Sequence, residues 1–157
     1  MEMEKPYVIG IDMGGTNTVF GIVDARGNVV AKGAIKTDNP DIDAYILDLK
    51  TELDKQIESV GGIDKIKGIG AGCPNGNFYT GNIEFAPNLP WKGVVPFAKL
   101  LSDSFGVPAA ITNDANAAAV GEMTYGVARG MNIFILITLG TGVGSGIVID
   151  GNFVYGY

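Results

Sequence analysis

The stretch Tyr7-Val-Ile-Gly-Ile-Asp-Met-Gly-Gly-Thr-Asn-Thr-Val-Phe-Gly-Ile-Val23 decides the fold. Its two apolar runs, at 7–11 and 18–23, have the β-branched and aromatic residues of buried strands, and a glycine-containing turn separates them. A third run at 28–35 follows the turn at 24–27. The sequence therefore predicts that the fold opens with three consecutive strands in meander order.

Two amphipathic helices are predicted further along the chain. The turn at 38–40 is followed by apolar residues at three-to-four spacing until Gly61-Gly62, which ends the first helix. Pro96 lies at the start of a second such pattern, which Gly106 closes. The remaining expected elements are strands at 67–72 and 109–112, a helix at 115–125, and a loop rich in Gly, Pro and Asn at 73–91.

The segment 130–149 contains no charged residue and is long enough to suggest a membrane span. Glycine occupies four alternating positions between 140 and 146, and each glycine costs a helix about 1 kcal/mol relative to alanine. The flanks at 133–137 and 147–149 are β-branched or aromatic. This pattern predicts two strands joined by a glycine loop, and we expect no membrane partner.

Composition excludes several kinds of chemistry. The 157 residues include 24 glycines, no histidine, and 11 basic against 17 acidic residues, for a net charge of −6. Without histidine the chain has no Ser/His/Asp or Cys/His nucleophile system and no His-ligated metal. The scattered basic residues argue against nucleic acid as a partner, and the lone Cys73 cannot form an internal disulfide, which favours a cytoplasmic location.

The first candidate site is Asp12-Met-Gly14-Gly15-Thr16, at the end of a buried strand. One interpretation is a tight hairpin in which both glycines adopt positive φ and Asp12 hydrogen-bonds the turn. The other is a phosphate site, in which backbone N–H groups and the Thr16 hydroxyl cradle phosphate oxygens while Asp12 holds Mg²⁺ through water.

A second glycine loop, 139–146, again lies between two apolar runs and admits the same two interpretations, a bent hairpin or a phosphate contact. No glycine directly precedes a lysine, so the loop is not a P-loop. No Gly-x-Gly-x-x-Gly spacing occurs, so it is not a dinucleotide-binding fingerprint either. Two such loops could hold a nucleotide phosphate from opposite sides.

The third candidate site is Asn113-Asp114, at a strand-to-helix junction. Asn and Asp are preferred helix caps. A carboxylate at a helix N-terminus is also kept ionised by the helix dipole, so Asp114 could accept a hydroxyl proton during phosphoryl transfer while Asn113 orients that hydroxyl. Loop residues suited either to turns or to a polyhydroxylated substrate are Asn75, Gly76, Asn77 and Asn88, whereas Trp91 is favoured as a packing residue over a sugar platform.

With these residues the sequence resembles the N-terminal half of the sugar kinases of the ROK family, in particular its bacterial glucokinases. Four motifs occur in the family's order, at 9–16, 86–91, 113–118 and 139–146. The resemblance implies an α/β fold of the actin-like ATPase type. Two ribonuclease-H-like domains, each a mixed sheet with flanking helices, would enclose a cleft for ATP and Mg²⁺.

The resemblance also assigns roles by position. It implies that Asp114 is the catalytic base and that Asn113 and Asn88 bind sugar hydroxyls. It implies phosphate contacts by Gly14, Gly15, Thr16, Gly140, Thr141 and Gly142. The family's remaining sugar ligands and its structural zinc motif would lie beyond residue 157. The segment Cys73-Pro-Asn-Gly76 stands where family members commonly have Pro-Gly.

We therefore expect the intact protein to phosphorylate a hexose 6-hydroxyl, with glucose as first candidate, and to be a cytoplasmic homo-oligomer. Residues 1–128 would form the first domain and 129–157 the opening strands of an incomplete second domain. The chain would thus be a truncated part of a longer protein, inactive on its own. The alternatives are a sugar-responsive ROK transcriptional repressor and another actin-like ATPase.

Overall fold

The computed structural model describes residues 4–139 and 142–155. These residues form three helices, one short 3₁₀ turn at Ile63–Lys65, and ten strands. The strands are β1 (Tyr7–Met13), β2 (Asn17–Asp24), β3 (Val29–Lys36), β4 (Ile66–Cys73), β5 (Ile83–Glu84), β6 (Val94–Val95), β7 (Ala109–Asn113), β8 (Phe134–Leu139), β9 (Val143–Ile149) and β10 (Asn152–Phe153). The helices are α1 (Ile42–Ser59), α2 (Phe97–Phe105) and α3 (Asp114–Tyr125).

The main sheet has five strands in the order β3-β2-β1-β4-β7. The predicted meander is confirmed, because β1 pairs antiparallel with β2 and β2 with β3. Strand β4 lies parallel to β1, and β7 lies parallel to β4. The carboxyl ends of three parallel strands therefore meet at one edge of the sheet, which is where ligands bind in open α/β sheets.

Helices α1 and α2 cover one face of this sheet and form the hydrophobic core. The apolar spacing of α1 buries five large side chains in one core with Ile9 and Ile22 of the sheet: Tyr45, Ile46, Leu49, Leu53 and Ile57. Asp41 caps α1, since its carboxylate accepts hydrogen bonds from the backbone N–H groups of Asp43 and Ala44 at 2.9 and 3.3 Å.

Helix α3 lies against the other face and joins the two parts of the fold. A Cβ on Gly72 of β4 would lie 3.0 Å from the Cβ of Ala117, and a Cβ on Gly146 of β9 would lie 2.5 Å from that of Ala119. Small residues on both partners thus let α3 approach the main sheet on one side and a second sheet on the other.

The second sheet has three strands in the order β10-β9-β8. The predicted pair of strands around a glycine loop is confirmed, although Gly140 and Thr141 of that loop lie outside the described residues. One face packs on α3; the opposite face exposes the apolar side chains of Ile135, Ile137, Leu139 and Val143. None of the helices within residues 4–139 and 142–155 combines the length and the apolar character that a membrane-spanning helix requires.

Candidate active site

The first glycine hairpin joins β1 to β2 and is stabilised by backbone hydrogen bonds. Met13 pairs with Thr18, and the N–H of Gly14 donates to the carbonyl oxygen of Asn17 at 2.9 Å. The interpretation of this motif as a hairpin with two positive-φ glycines is wrong in that detail, since neither Gly14 nor Gly15 is among the described residues with left-handed backbone. Glycine is needed at both positions because a Cβ would lie 3.0 Å from the carbonyl oxygen of Asn17 or 2.8 Å from that of Asn88.

Close approach brings the hairpin to the loop at 86–91. A Cβ on Gly15 would lie 2.8 Å from the carbonyl oxygen of Asn88 and 3.4 Å from its side-chain amide nitrogen. A phosphate candidate and a sugar candidate, far apart in sequence, are therefore in contact. Gly15, Thr16 and Asn88 are all exposed to solvent.

Asp12, the predicted magnesium ligand, and Asp114, the predicted catalytic base, line one cavity of about 430 Å³. Asp12 pairs with Gly72 across the parallel β1–β4 ladder, and a Cβ on Gly72 would lie 3.4 Å from the Cα of Asp114. The absence of a side chain at Gly72 thus lets the start of α3 approach Asp12. The other residues around this cavity are Ile11, Gly72, Ala115, Ala117, Ala118 and Thr138.

Thr138 is a site residue that the sequence analysis missed. It is the polar residue of the otherwise apolar strand β8, and it faces the same cavity as Asp12 and Asp114. That single polar position within the run 134–139 was the available signal. Its hydroxyl lies beside Gly144, where a Cβ would come within 2.5 Å of the Thr138 Oγ1.

The junction Asn113-Asp114 serves as a helix cap. The Asn113 side-chain oxygen accepts a hydrogen bond from the N–H of Ala115 at 3.0 Å, and Oδ1 of Asp114 accepts from the same N–H at 2.8 Å. These contacts orient the Asp114 carboxylate at the positive end of the α3 dipole. The capping interpretation is therefore confirmed, and it leaves an exposed carboxylate facing the cavity.

A neighbouring polar cavity of about 290 Å³ brings Asn75, Gly76 and Asn113 together. Gly76 is needed there because a Cβ would lie 2.5 Å from the carbonyl oxygen of Thr112. The Asn75 amide instead braces its own loop, donating to the carbonyl oxygens of Glu84 and Phe85 at 3.0 and 3.3 Å. Asn75 also has a φ of 51°, which asparagine tolerates better than most residues.

The remaining loop residues act mainly in packing and turns. The Asn77 side-chain oxygen accepts hydrogen bonds from the N–H groups of Tyr79 and Thr80 at 2.9 and 3.2 Å. Trp91 is buried against Tyr45, with ring centroids 4.7 Å apart, so the packing interpretation is confirmed.

The second phosphate loop is described only in part. Gly142 is exposed, and a Cβ there would meet nothing within 4 Å. Gly140 and Thr141 lie outside the described residues, so their phosphate contacts stay a prediction, as does that of Gly142.

Beneath the carboxylates lies Cys73, at the end of β4. Its side chain is buried. Burial, together with the negative charges of Asp114 and Asp12, raises the pKa of this thiol above its ordinary value of 9.0. A thiol that stays protonated is a weak nucleophile, which excludes Cys73 as an activated group.

The donor set of the cavity suits a magnesium ion. Asp12 and Asp114 offer carboxylate oxygens, and Mg²⁺ is ordinarily held by one or two carboxylates together with waters and substrate phosphates. Among the described residues, no group of three or more Cys, Asp or Glu forms a closed metal cage. The water-mediated contact between Asp12 and Mg²⁺ stays a prediction.

Another cavity, of about 590 Å³, lies on the small-residue face of the main sheet and borders Asp12. Its walls are mostly apolar, formed by residues such as Val19, Val23 and Val120. Such walls offer few donors to a phosphate, so the candidate site is the smaller cavity between the two carboxylates.

Comparison with known proteins finds glucokinases and xylose repressors as relatives. The profile of the ROK family matches residues 8–157. The glucokinase of Halalkalibacterium halodurans is 38% identical over 160 residues, covering 98% of this chain and 47% of that protein. The xylose repressor of Caldicellulosiruptor bescii is 31% identical over 155 residues, covering 95% of this chain and 38% of that protein.

A solved structure agrees with these sequence matches. The ROK family glucokinase from Streptomyces griseus, in complex with glucose and AMPPNP, superposes with a TM-score of 0.82 at 31% identity, covering 96% of this chain and 47% of that chain. The expected actin-like ATPase fold, with a mixed sheet and flanking helices, is confirmed. The chain spans about half the length of the curated relatives it matches. Its motifs, its fold and the matched profile agree, and the chain belongs to the ROK family.

Proposed function

We propose that the protein carrying this chain transfers the γ-phosphoryl group of ATP to the 6-hydroxyl of a hexose, with glucose as the first substrate to test. The observation that carries the proposal is the shared cavity of Asp12 and Asp114, with Asn113 beside it. The glucokinase relatives, and the glucose and AMPPNP bound to the Streptomyces griseus enzyme, support the same reaction.

Asp114 would act as the catalytic base. Its carboxylate accepts the proton of the 6-hydroxyl while that oxygen attacks the γ-phosphorus in line. The bond from the γ-phosphorus to the bridging oxygen breaks, ADP leaves, and the proton later passes to water. Asn113 would orient the hydroxyl, with Asn88, Asn75 and Gly76 as further sugar contacts.

Phosphate would be held by the hairpin Gly14-Gly15-Thr16 and by the loop containing Gly140, Thr141 and Gly142. Backbone N–H groups and the Thr16 hydroxyl are the donors of such a cradle. Asp12 would hold Mg²⁺ through water, and the bound ion would neutralise charge on the phosphates.

The test is a coupled kinase assay of the full-length protein with a panel of hexoses and N-acetylhexosamines. Replacing Asp114 with Asn should lower kcat by at least about a hundredfold, the usual contribution of a general base, with the dissociation constant for the sugar changed less than about threefold. Asp103→Asn, on the exposed surface of α2, is the matched control and should retain normal kcat. Near-normal kcat in Asp114→Asn would reject the assignment.

The same assay separates two other functions. A repressor, as the xylose repressor relative suggests, would bind sugar without consuming ATP. Another actin-like ATPase would hydrolyse ATP at a rate that no hexose stimulates. ADP release that requires a hexose excludes both.

Three further features belong to this proposal. Residues 1–128 and 129–157 would belong to different domains, a division that the two separate sheets support. The 157-residue chain alone would not phosphorylate hexoses, because the cleft needs both walls to exclude water. The full-length protein would be a cytoplasmic homo-oligomer without nucleic acid or membrane partners.

A further inference from the structure

A chain of three buried hydroxyl groups lies directly behind the first glycine hairpin. Oγ1 of Thr18 shares one hydrogen bond with the hydroxyl of Tyr45 at 2.6 Å and another with Oγ1 of Thr37 at 2.9 Å. Thr18 and Tyr45 are fully buried and Thr37 is 1% exposed. Buried hydroxyls lower stability unless they are paired, so this chain fixes the relative positions of the elements that carry it.

Two of the three residues are tied to the hairpin itself. Thr18 pairs with Met13 at the point where β2 begins. The backbone N–H of Thr37 donates to the carbonyl oxygen of Thr16 at 2.9 Å. A displacement of the Gly14–Thr16 loop therefore moves Thr18 and Thr37.

The third residue, Tyr45, reaches from the hydroxyl chain to the loop at 86–91. Its ring packs against Trp91, with centroids 4.7 Å apart and planes at 59°. Trp91 is fixed in turn by its indole N–H, which donates to the carbonyl oxygen of Asn39 at 3.1 Å. The same loop carries Asn88, whose backbone touches Gly15.

We propose that Tyr45 is a positioning residue that couples the hairpin at 13–17 to the loop at 86–91, so that a ligand ordering one loop strengthens ligand binding at the other. The hydroxyl of Tyr45 is hydrogen-bonded to Thr18, so a movement of the hairpin displaces Tyr45. The ring of Tyr45 packs on Trp91, so the same movement displaces the loop at 86–91. The identity of the ligands, a nucleotide phosphate at the hairpin and a hexose at the loop, rests on the proposed function.

The link between the loops can be measured without any ligand. Trp91 is the only tryptophan in the 157-residue chain, so the intrinsic fluorescence of this chain reports on that side chain alone. Thr18→Val keeps the shape of the side chain but removes the hydroxyl. Because Thr18 is hydrogen-bonded to Tyr45 and Tyr45 packs on Trp91, this variant should shift the Trp91 emission to longer wavelength. Thr18→Ser should retain the wild-type spectrum.

Thr51→Val is the matched control. It makes the same substitution on an exposed face of α1, the helix that carries Tyr45, and should leave the emission unchanged. Circular dichroism establishes that each variant is folded. If Thr18→Val cannot be obtained folded, Tyr45→Phe removes the other half of the hydrogen bond and carries the same expectation. Emission identical to wild type in a folded variant overturns the proposal.

The consequence for binding is measured in the full-length protein with glucose and AMPPNP. Saturating AMPPNP should tighten glucose binding by at least about fivefold in the wild type, the usual lower range of coupling between sites. Thr18→Val and Tyr45→Phe should reduce that factor below about twofold. Each ligand measured alone should keep its dissociation constant within about threefold.

A purely structural role for Tyr45 would weaken both ligands without changing the coupling factor, and that result overturns the proposal. A wild-type factor near one overturns it as well. If the full-length protein binds neither ligand, the proposed function fails, and the Trp91 emission then decides the positioning role by itself.

Discussion

Glycine acts at this site through its missing side chain. At Gly15, Gly72 and Gly76 the position that a Cβ would take is already filled by Asn88, by α3 and by the Thr112 carbonyl group, respectively. None of the three has the positive φ that commonly explains a glycine in a turn. The three contacts bring the hairpin, the helix and the polar loop together around the carboxylates, so the site depends on the absence of these methyl groups.

Gly15→Ala is accordingly expected to separate the hairpin from the loop at 86–91. The added methyl group would lie 2.8 Å from a backbone oxygen, which cannot rotate away. In the full-length protein we expect AMPPNP to bind about tenfold more weakly, equivalent to about 1.4 kcal/mol. Titration calorimetry measures the change. Gly10→Ala is the control, because its Cβ would meet Val23 at an ordinary 3.9 Å, and equal losses in both variants would contradict the close-approach argument.

Helix α3 is the element on which the site depends. It begins with Asp114, packs on β4 through Gly72, and packs on β9 through Gly144 and Gly146. Its buried residues are alanines, which leave room for close backbone contact but bury little apolar area. The position of the candidate base thus depends on small-residue packing on both sides of a single helix.

Gly146→Ala tests this packing. Its Cβ would lie 2.5 Å from the Cβ of Ala119 and 3.0 Å from the carbonyl oxygen of Ala115. We expect a loss of about 1–3 kcal/mol in the free energy of unfolding, as for other overpacked contacts. Urea unfolding measures it. Gly121→Ala, on the open side of the same helix, should be neutral or stabilising by up to about 1 kcal/mol. A Gly146→Ala variant as stable as the wild type would refute the packing argument.

At the scale of the whole molecule, two buried acids make stability depend on alkaline pH. Burial raises the pKa of the Cys73 thiol above 9.0 and that of the Tyr45 hydroxyl above 10.0. The folded chain keeps protons that the unfolded chain releases at those pH values. The stabilisation is therefore complete below pH 9 and is lost progressively as pH rises above the pKa values of the unfolded chain.

The free energy of unfolding should accordingly fall between pH 9 and 10.5, by up to about 1.4 kcal/mol per pH unit for each group once its unfolded form is ionised. Urea unfolding at a series of pH values measures the slope. Cys73→Ala removes one of the two groups, so its slope above pH 9 should be shallower, whatever its stability at pH 7. Parallel slopes for the two proteins would show that Cys73 titrates alike in the folded and unfolded chains.

Much of the architecture follows from local signals in the sequence. The spacing of apolar residues around Tyr45 and Leu49, the capping residue Asp41 and the terminal Gly61-Gly62 predict α1 without reference to any other element. The apolar runs around Asp12 and the glycines near 142 likewise predict hairpins. Four short motifs were enough to predict the ROK family, and the family profile matches residues 8–157.

The sequence by itself therefore determined the three helices, the seven longer strands, the opening meander and the cap at Asn113-Asp114, and it named Asp114 as the candidate base. It did not predict the two-residue strands β5, β6 and β10, of which β5 lies in the expected loop at 73–91. Only the tertiary structure placed β4 beside β1, set Gly15 against Asn88, brought Thr138 to the cavity and joined Thr18 to Tyr45. The physical reason is that helix and turn signals act over a few residues, whereas these contacts join distant segments. Their partners are fixed by strand order and by which small residues permit close packing.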